Sequence, residues 1–266
     1  MKNLLKIFAT SGAVFLALFT TQSSFALTVI GTTEVSLDGR QEAIRTQETN
    51  LGNLVADSLF WEAIENNFTP DVVLSNSGGI RGDLIPAGEL TDVDIQTILP
   101  FNNNIVGFTN ISALDFKNLV ENGLEDVNIA DDGRFPQISG FTFTYNPGNP
   151  EGSRIDTLSL ADNTVIVKNG FVVADAPGIS VVTNQFIATG GDDYPFPDSF
   201  IDLGFSEQEA LTNYITTGLN GTVTAVQYPE GGNGRIAAVP EPVTMLGSAL
   251  AIAIGAISRK HNNTKI

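Results

Sequence analysis

The stretch Asp71-Val72-Val73-Leu74-Ser75-Asn76-Ser77-Gly78-Gly79-Ile80-Arg81 reads as a short apolar strand opening into a turn with two adjacent glycines and a closing arginine. Glycine has no Cβ, so such a turn lets the backbone come close to a ligand. Upstream, Thr49-Asn50 precedes Leu51, Leu54, Val55, Leu59 and Ile64 at helical spacing, which predicts a capped amphipathic helix over about 50–66. Downstream, Ser112 with Asp115, and Ser206 with Glu209, place helix starts near Ala113 and Glu207. Between them, 141–145, 155–160, 164–167 and 179–183 are rich in β-branched and aromatic residues and are separated by Asn, Gly, Pro and Asp clusters, the pattern of strands. Helices and strands interleave without regular βαβ spacing. The expected class is therefore α+β or mixed α/β, a single domain with a mixed sheet and flanking helices.

Both ends lie outside that domain. Met1-Lys2-Asn3-Leu4-Leu5-Lys6, an apolar stretch to Phe19 and Ser24-Phe25-Ala26 form the pattern of a secretory signal peptide, with cleavage expected after Ala26. At the other end Val239-Pro240-Glu241-Pro242 is followed by an apolar run to Ile257 and then by Arg259 and Lys260. That order resembles a PEP-CTERM sorting tail, which implies recognition by an exosortase-type enzyme and delivery to the cell surface or extracellular matrix. A plain membrane anchor is the other reading, although the run is shorter than the roughly 20 residues that span a bilayer comfortably. The expected organisation is a signal peptide over 1–26, one domain over 27–236 and a sorting segment over 237–266.

The 266 residues include no cysteine, which excludes disulfides, thiolate metal sites and a cysteine nucleophile. Thirteen basic residues against 30 acidic ones leave a formal charge of -17, a field that repels polyanions, so nucleic acid is not expected as a partner. Each arginine therefore stands out. It either serves an ion pair or marks a local site for an anion that the rest of the surface would reject.

Four segments combine glycine turns, isolated arginines and aromatics: 45–54, 76–81, Leu99-Pro100-Phe101-Asn102-Asn103, and Phe186-Ile187-Ala188-Thr189-Gly190-Gly191-Asp192. Together they suggest a small-ligand pocket. An aromatic face suits a planar ring, arginine pairs with phosphate through two donors, and Asp or Asn takes hydroxyls.

These segments, with Gly133-Arg134-Phe135-Pro136-Gln137-Ile138-Ser139-Gly140, occur in the order and near the spacing of the C-terminal, substrate-binding domain of 5'-nucleotidases. The resemblance covers nearly all of 34–236. It implies a nucleoside or nucleotide ligand whose base stacks between Phe101 and Phe186. It further implies polar contacts to base and ribose from Asn76, Asn103 and Asp192, and phosphate contacts from Arg45 and Arg81. Arg134 and Gln137 are expected to be structural. Two departures stand out: Ser77 replaces a common third glycine, and Asp193 follows Asp192 where the family has glycine, either crowding a phosphate or pointing into solvent.

Other readings stay open for each site residue. Phe101 and Phe186 are two of 17 phenylalanines, a residue usually found in the core. Arg45 and Arg81 suit structural ion pairs in so acidic a chain. Asn76 and Asp192 suit turns.

In the family resembled, hydrolysis is a two-metal reaction housed in a separate domain rich in histidine ligands. Here the one histidine is His261, in the tail, so Ser-His and His-phosphoryl mechanisms fail as well. No catalytic residue, metal ligand or cofactor is assigned. The expectation is a free-standing binding domain, inactive alone, for which phosphate release requires a separate metallophosphoesterase chain. The remaining alternative is a surface or matrix protein that kept the fold and lost the ligand.

Overall fold

The computed structural model describes residues 27–239 except 128, 130 and 131. The expected signal peptide and nearly all of the expected sorting segment lie outside the described residues. No helix among the described residues is long and apolar enough to cross a membrane.

The fold is mixed α/β, as the alternation of patterns indicated. Its centre is a five-stranded sheet in the order Ile201–Ser206, Asn104–Ile111, Ile179–Asn184, Val72–Asn76, Pro136–Ser139. Ile179–Asn184 and Val72–Asn76 run parallel, and every other neighbouring pair is antiparallel. Val72–Asn76 is buried along its whole length, which is what an apolar run without alternation requires. A second five-stranded sheet is a meander of Phe141–Tyr145, Ile155–Leu160, Val165–Lys168 and Phe171–Val172, with Ile236–Ala238 added parallel to Phe141–Tyr145. Phe116, Phe141, Phe143 and Ile138 belong to the largest core, to which both sheets and the Ala113–Asn122 helix contribute.

The Asn50–Glu65 helix begins where the leucine spacing placed it, with the Thr49 side chain accepting from Gly52 N at 3.0 Å. It is not a surface amphipathic helix. Asn50 to Ala56 are all buried, because one flank packs with Leu37, Ile80 and Leu211 while the other meets Val73, Ile105, Val182 and Phe205. Gly52 lets the helix approach Gln137, whose side chain occupies the space a Cβ would need.

The helices Ala113–Asn122 and Glu207–Asn213 begin at the expected residues, the second with a complete Ser206 and Glu209 capping box. A helix at Asp92–Ile98, capped reciprocally by Thr91 and Asp94, was not anticipated. Nor was the central strand Asn104–Ile111. Its Gly107 departs from a regular strand pattern because the Phe68 ring lies against it, 2.6 Å from where a Cβ would stand.

Candidate functional site

The two parallel strands end side by side, each on an asparagine: Val72–Asn76 and Ile179–Asn184. Their antiparallel neighbours enter the sheet at the same edge, with Pro136 beside Asn76 and Ile105 beside Asn184. One edge of the sheet thus gathers two strand exits and two strand entries, and the connecting turns converge there. In open sheets with parallel strands this carboxyl edge is where ligands bind.

A cavity of about 360 Å³ opens at this edge. Its walls contain all seven residues singled out in the sequence, Arg45, Asn76, Arg81, Phe101, Asn103, Phe186 and Asp192, together with Gly78, Gly79 and Gly133. The floor is backbone. Gly78 N donates to Gly133 O at 2.6 Å, and a Cβ on Gly133 would stand 2.8 Å from the Gly78 Cα, so both glycines are needed for this approach. Ser77 fits in place of a third glycine by donating its hydroxyl to Gly133 O at 3.1 Å.

The two phenylalanines are exposed, Phe101 at 57% and Phe186 at 45%, and neither pairs with another ring among the described residues. Each has one face covered. Arg81 lies over Phe101 with its Cζ 5.0 Å from the ring centroid. Phe186 lies against Gly191, where a Cβ would come within 2.6 Å of the ring. Phe186 itself sits on the short Gln185–Ala188 helix, capped by Asn184, which accepts from Ile187 N at 3.2 Å.

Asn76 bridges the strand ends. It donates from Nδ2 to Asp192 Oδ2 at 2.7 Å, and its Oδ1 accepts from Asn184 Nδ2 at 3.0 Å. Asp192 has φ 52° and Asp193 φ 56°, a left-handed turn that non-glycine residues adopt at a cost. Asp192 thereby faces the cavity, whereas the Asp193 side chain is 87% exposed and lies 3.7 Å from Arg134 Nη2. The extra carboxylate points outward.

Arg81 Nη1 donates to the carbonyls of Gly78 and Ile80. Burial, followed by the nearby Arg45 charge, pushes the Arg81 pKa down, against the pull of Asp192. Two cations are thus close enough to interact at the cavity wall, in a chain of charge -17. The loop bearing Arg45 is held by Gln137, fully buried, whose Nε2 donates to Ile44 O and Gln47 O at 2.9 Å each. Arg134 is bound to Glu125 at 2.6 Å and to Asp132 at 3.1 Å, and it does not line the cavity. Both behave as structural residues.

Two residues behind the cavity escaped the sequence reading. Asn184 looks like any strand end, and Glu207 looks like the ordinary acidic first turn of a helix. In the structure Glu207 is 1% exposed and accepts from Asn103 Nδ2 at 3.0 Å. Burial pushes its carboxyl up to about 7, against the pull of the Asn103 amide.

Fold and cavity together define a mixed α/β domain with one polar, aromatic-flanked cleft at the carboxyl edge of its parallel strands. Residues 29–199 match the family model described as 5'-nucleotidase, C-terminal domain. The chain belongs to that family. It is 32% identical over 191 residues to the trifunctional nucleotide phosphoesterase protein YfkN of Bacillus subtilis, covering 70% of this chain and 12% of that protein. It is 31% identical over 193 residues to a 5'-nucleotidase of Vibrio vulnificus, covering 70% of this chain and 30% of the relative. A 5'-nucleotidase precursor structure from Thermus thermophilus superposes with a TM-score of 0.68 at 30% identity, over 81% of this chain and 40% of that one. The chain thus spans well under half of these relatives.

The one histidine, His261, lies outside the described residues, and no group of three His, Cys, Asp or Glu suited to a metal occurs among them.

Proposed function

We propose that this chain binds a nucleoside or nucleotide in the cavity at the sheet edge. The base lies between the open faces of Phe101 and Phe186, with Asn103 at its edge. Asp192, held by Asn76, takes the ribose hydroxyls, and Arg45 with Arg81 receives phosphate. The observation that carries this reading is the convergence of seven residues from four separated segments on one cavity. Two exposed rings, each backed on one face only, suit a planar ligand better than they suit a core. Calorimetric titration of residues 27–238 with adenosine, AMP and ATP tests it. Absence of binding by all three sinks it.

A second reading is supported by the limited span of the match. The chain acts as one half of a split nucleotidase and docks on a separate metallophosphoesterase chain, which supplies the metals and the other wall of the cleft. Mixing it with such a chain in the presence of Mn or Zn ions should then release phosphate from AMP. No release with the two chains combined removes this reading.

We also propose export, on the signal-peptide pattern of 1–26 and the sorting pattern of 237–266. Exosortase-type processing would leave the domain at the cell surface or in the matrix. Mass spectrometry of the protein recovered from the cell exterior should show it beginning at Leu27. Intact residues 1–26 on cytoplasmic protein would contradict export.

A further inference from the structure

Glu207 lies behind the cavity wall, at the first position of the Glu207–Asn213 helix. Its backbone N–H donates to Asn103 O at 2.9 Å, and its Oε2 accepts from Asn103 Nδ2 at 3.0 Å. Two bonds in opposite directions therefore clamp Asn103 across 104 residues of sequence. An ionised carboxylate only accepts, so the amide nitrogen of Asn103 must face it. The carbonyl Oδ1 is left over. Asn103 is half-buried and lines the cavity, and nothing among the described residues donates to that oxygen.

Glu207 Oε1 is buried and has no well-aligned hydrogen-bond donor among the described residues; the neighbouring Asn184 amide, which donates to Asn76 Oδ1, is the polar group that pulls on the carboxyl from that side. Protonation on Oε1 would leave Oε2 free to accept from Asn103. The clamp therefore holds in the carboxylate and in the acid protonated on Oε1.

We propose that Glu207 is a positioning residue that holds the Asn103 carbonyl toward the cavity, so that the site selects a nucleobase bearing an N–H donor, such as an exocyclic amino group. This rests on the nucleoside reading above. The clamp turns a residue able to donate or accept into one that presents an acceptor. Rings that lack the donor leave that acceptor unpaired and bind less well.

The test is calorimetric titration of the protein and of Glu207→Gln with adenosine and with purine riboside, which differ only in the amino group. Glutamine can present either oxygen or nitrogen, so it no longer dictates the Asn103 orientation. The unaltered protein should bind adenosine about tenfold more tightly, one hydrogen bond's worth of preference. In Glu207→Gln the two affinities should converge to within about twofold while purine riboside binding is kept by stacking. Equal binding by the unaltered protein, or an unchanged preference in the variant, overturns the proposal. Binding of neither ligand to the unaltered protein removes the nucleoside reading itself, and this proposal with it. Should Glu207→Gln fail to fold, Asn103→Ala makes the same comparison, and a preference that survives there also overturns it.

Discussion

Asn76 Nδ2 and Asp192 Oδ2 lie 2.7 Å apart, joining the end of a central strand to a turn 116 residues further along the chain. The bond holds a carboxylate at the cavity, on a residue whose backbone is left-handed at φ 52°. Asn76 is 1% exposed and also accepts from Asn184, so both ends of its amide are used. In Asn76→Ala the Asn184 amide loses its acceptor and Asp192 its donor. Urea unfolding should show a loss of about 1–3 kcal/mol, the cost of an orphaned buried donor. Adenosine affinity should fall in parallel. Unchanged stability would mean that the bridge is incidental.

Phe101→Ala and Phe186→Ala separate ligand stacking from core packing. Both rings are largely exposed, so thermal unfolding should move little. Nucleoside binding should weaken by about 1–3 kcal/mol for each ring removed. A large fall in melting temperature with no loss of affinity would make them core residues after all.

Gly191→Ala probes the seat of Phe186. The added methyl would stand 2.6 Å from the ring, so the ring must move. Titration with adenosine should show a loss of about 1 kcal/mol, part of one stacking contact. Full affinity would show that Phe186 can shift without harm.

Asp57→Ala should lower stability without touching the cavity. Asp57 accepts from Arg235 at 2.6 and 2.8 Å and from the Tyr228 hydroxyl at 3.0 Å, and both donors are mostly buried. Removing one member of such a pair leaves an uncompensated charge, costing about 3 kcal/mol. The same bonds tie the Ile236–Ala238 strand to the Asn50–Glu65 helix. Denaturant unfolding, with adenosine titration as the control, reads both effects.

Stability should fall as pH rises through neutrality because of Glu207. Its folded pKa is raised to about 7 from the 4.5 of an unperturbed glutamate, so between these values the folded state holds a proton that the unfolded state has released. The slope of unfolding free energy with pH is then negative, and the stability present below the unfolded pKa is lost by the time the folded pKa is passed. No charged side chain contributes to the shift; burial raises it and the neighbouring Asn103 and Asn184 amides oppose it. The difference in stability between the protein and Glu207→Gln should therefore change between pH 5 and pH 8. A pH-independent difference would place the Glu207 pKa in the ordinary range.

Much of the scaffold was legible because its signals are local. A capping serine bonds a residue three positions away, and an apolar run needs only its own length to mark a strand, so the helices at Ala113 and Glu207 and the Val72 strand could be read directly. The Thr91 and Asp94 box was equally local and would have revealed the Asp92–Ile98 helix. Asn104–Ile111 was harder, since its Gly107 makes sense only beside Phe68. The Asn50–Glu65 helix showed its period but not its depth, because burial on two sides depends on elements that arrive later in the chain.

By itself the sequence determined the mixed α/β class, the family, and the seven residue types with the chemistry to hold an anion, a ring and hydroxyls. The tertiary structure decided which of them meet. Two neighbouring parallel strands, buried along nearly their whole length, bring Asn76 and Asn184 to one edge, and from there the turns carry Asp192 and Phe186 into a single cavity. Only that pairing turned Glu207 from a helix-start acid into the buried partner of Asn103. A hydrogen bond between residues more than a hundred positions apart has no local signature, because its geometry is set by burial of the strands between them.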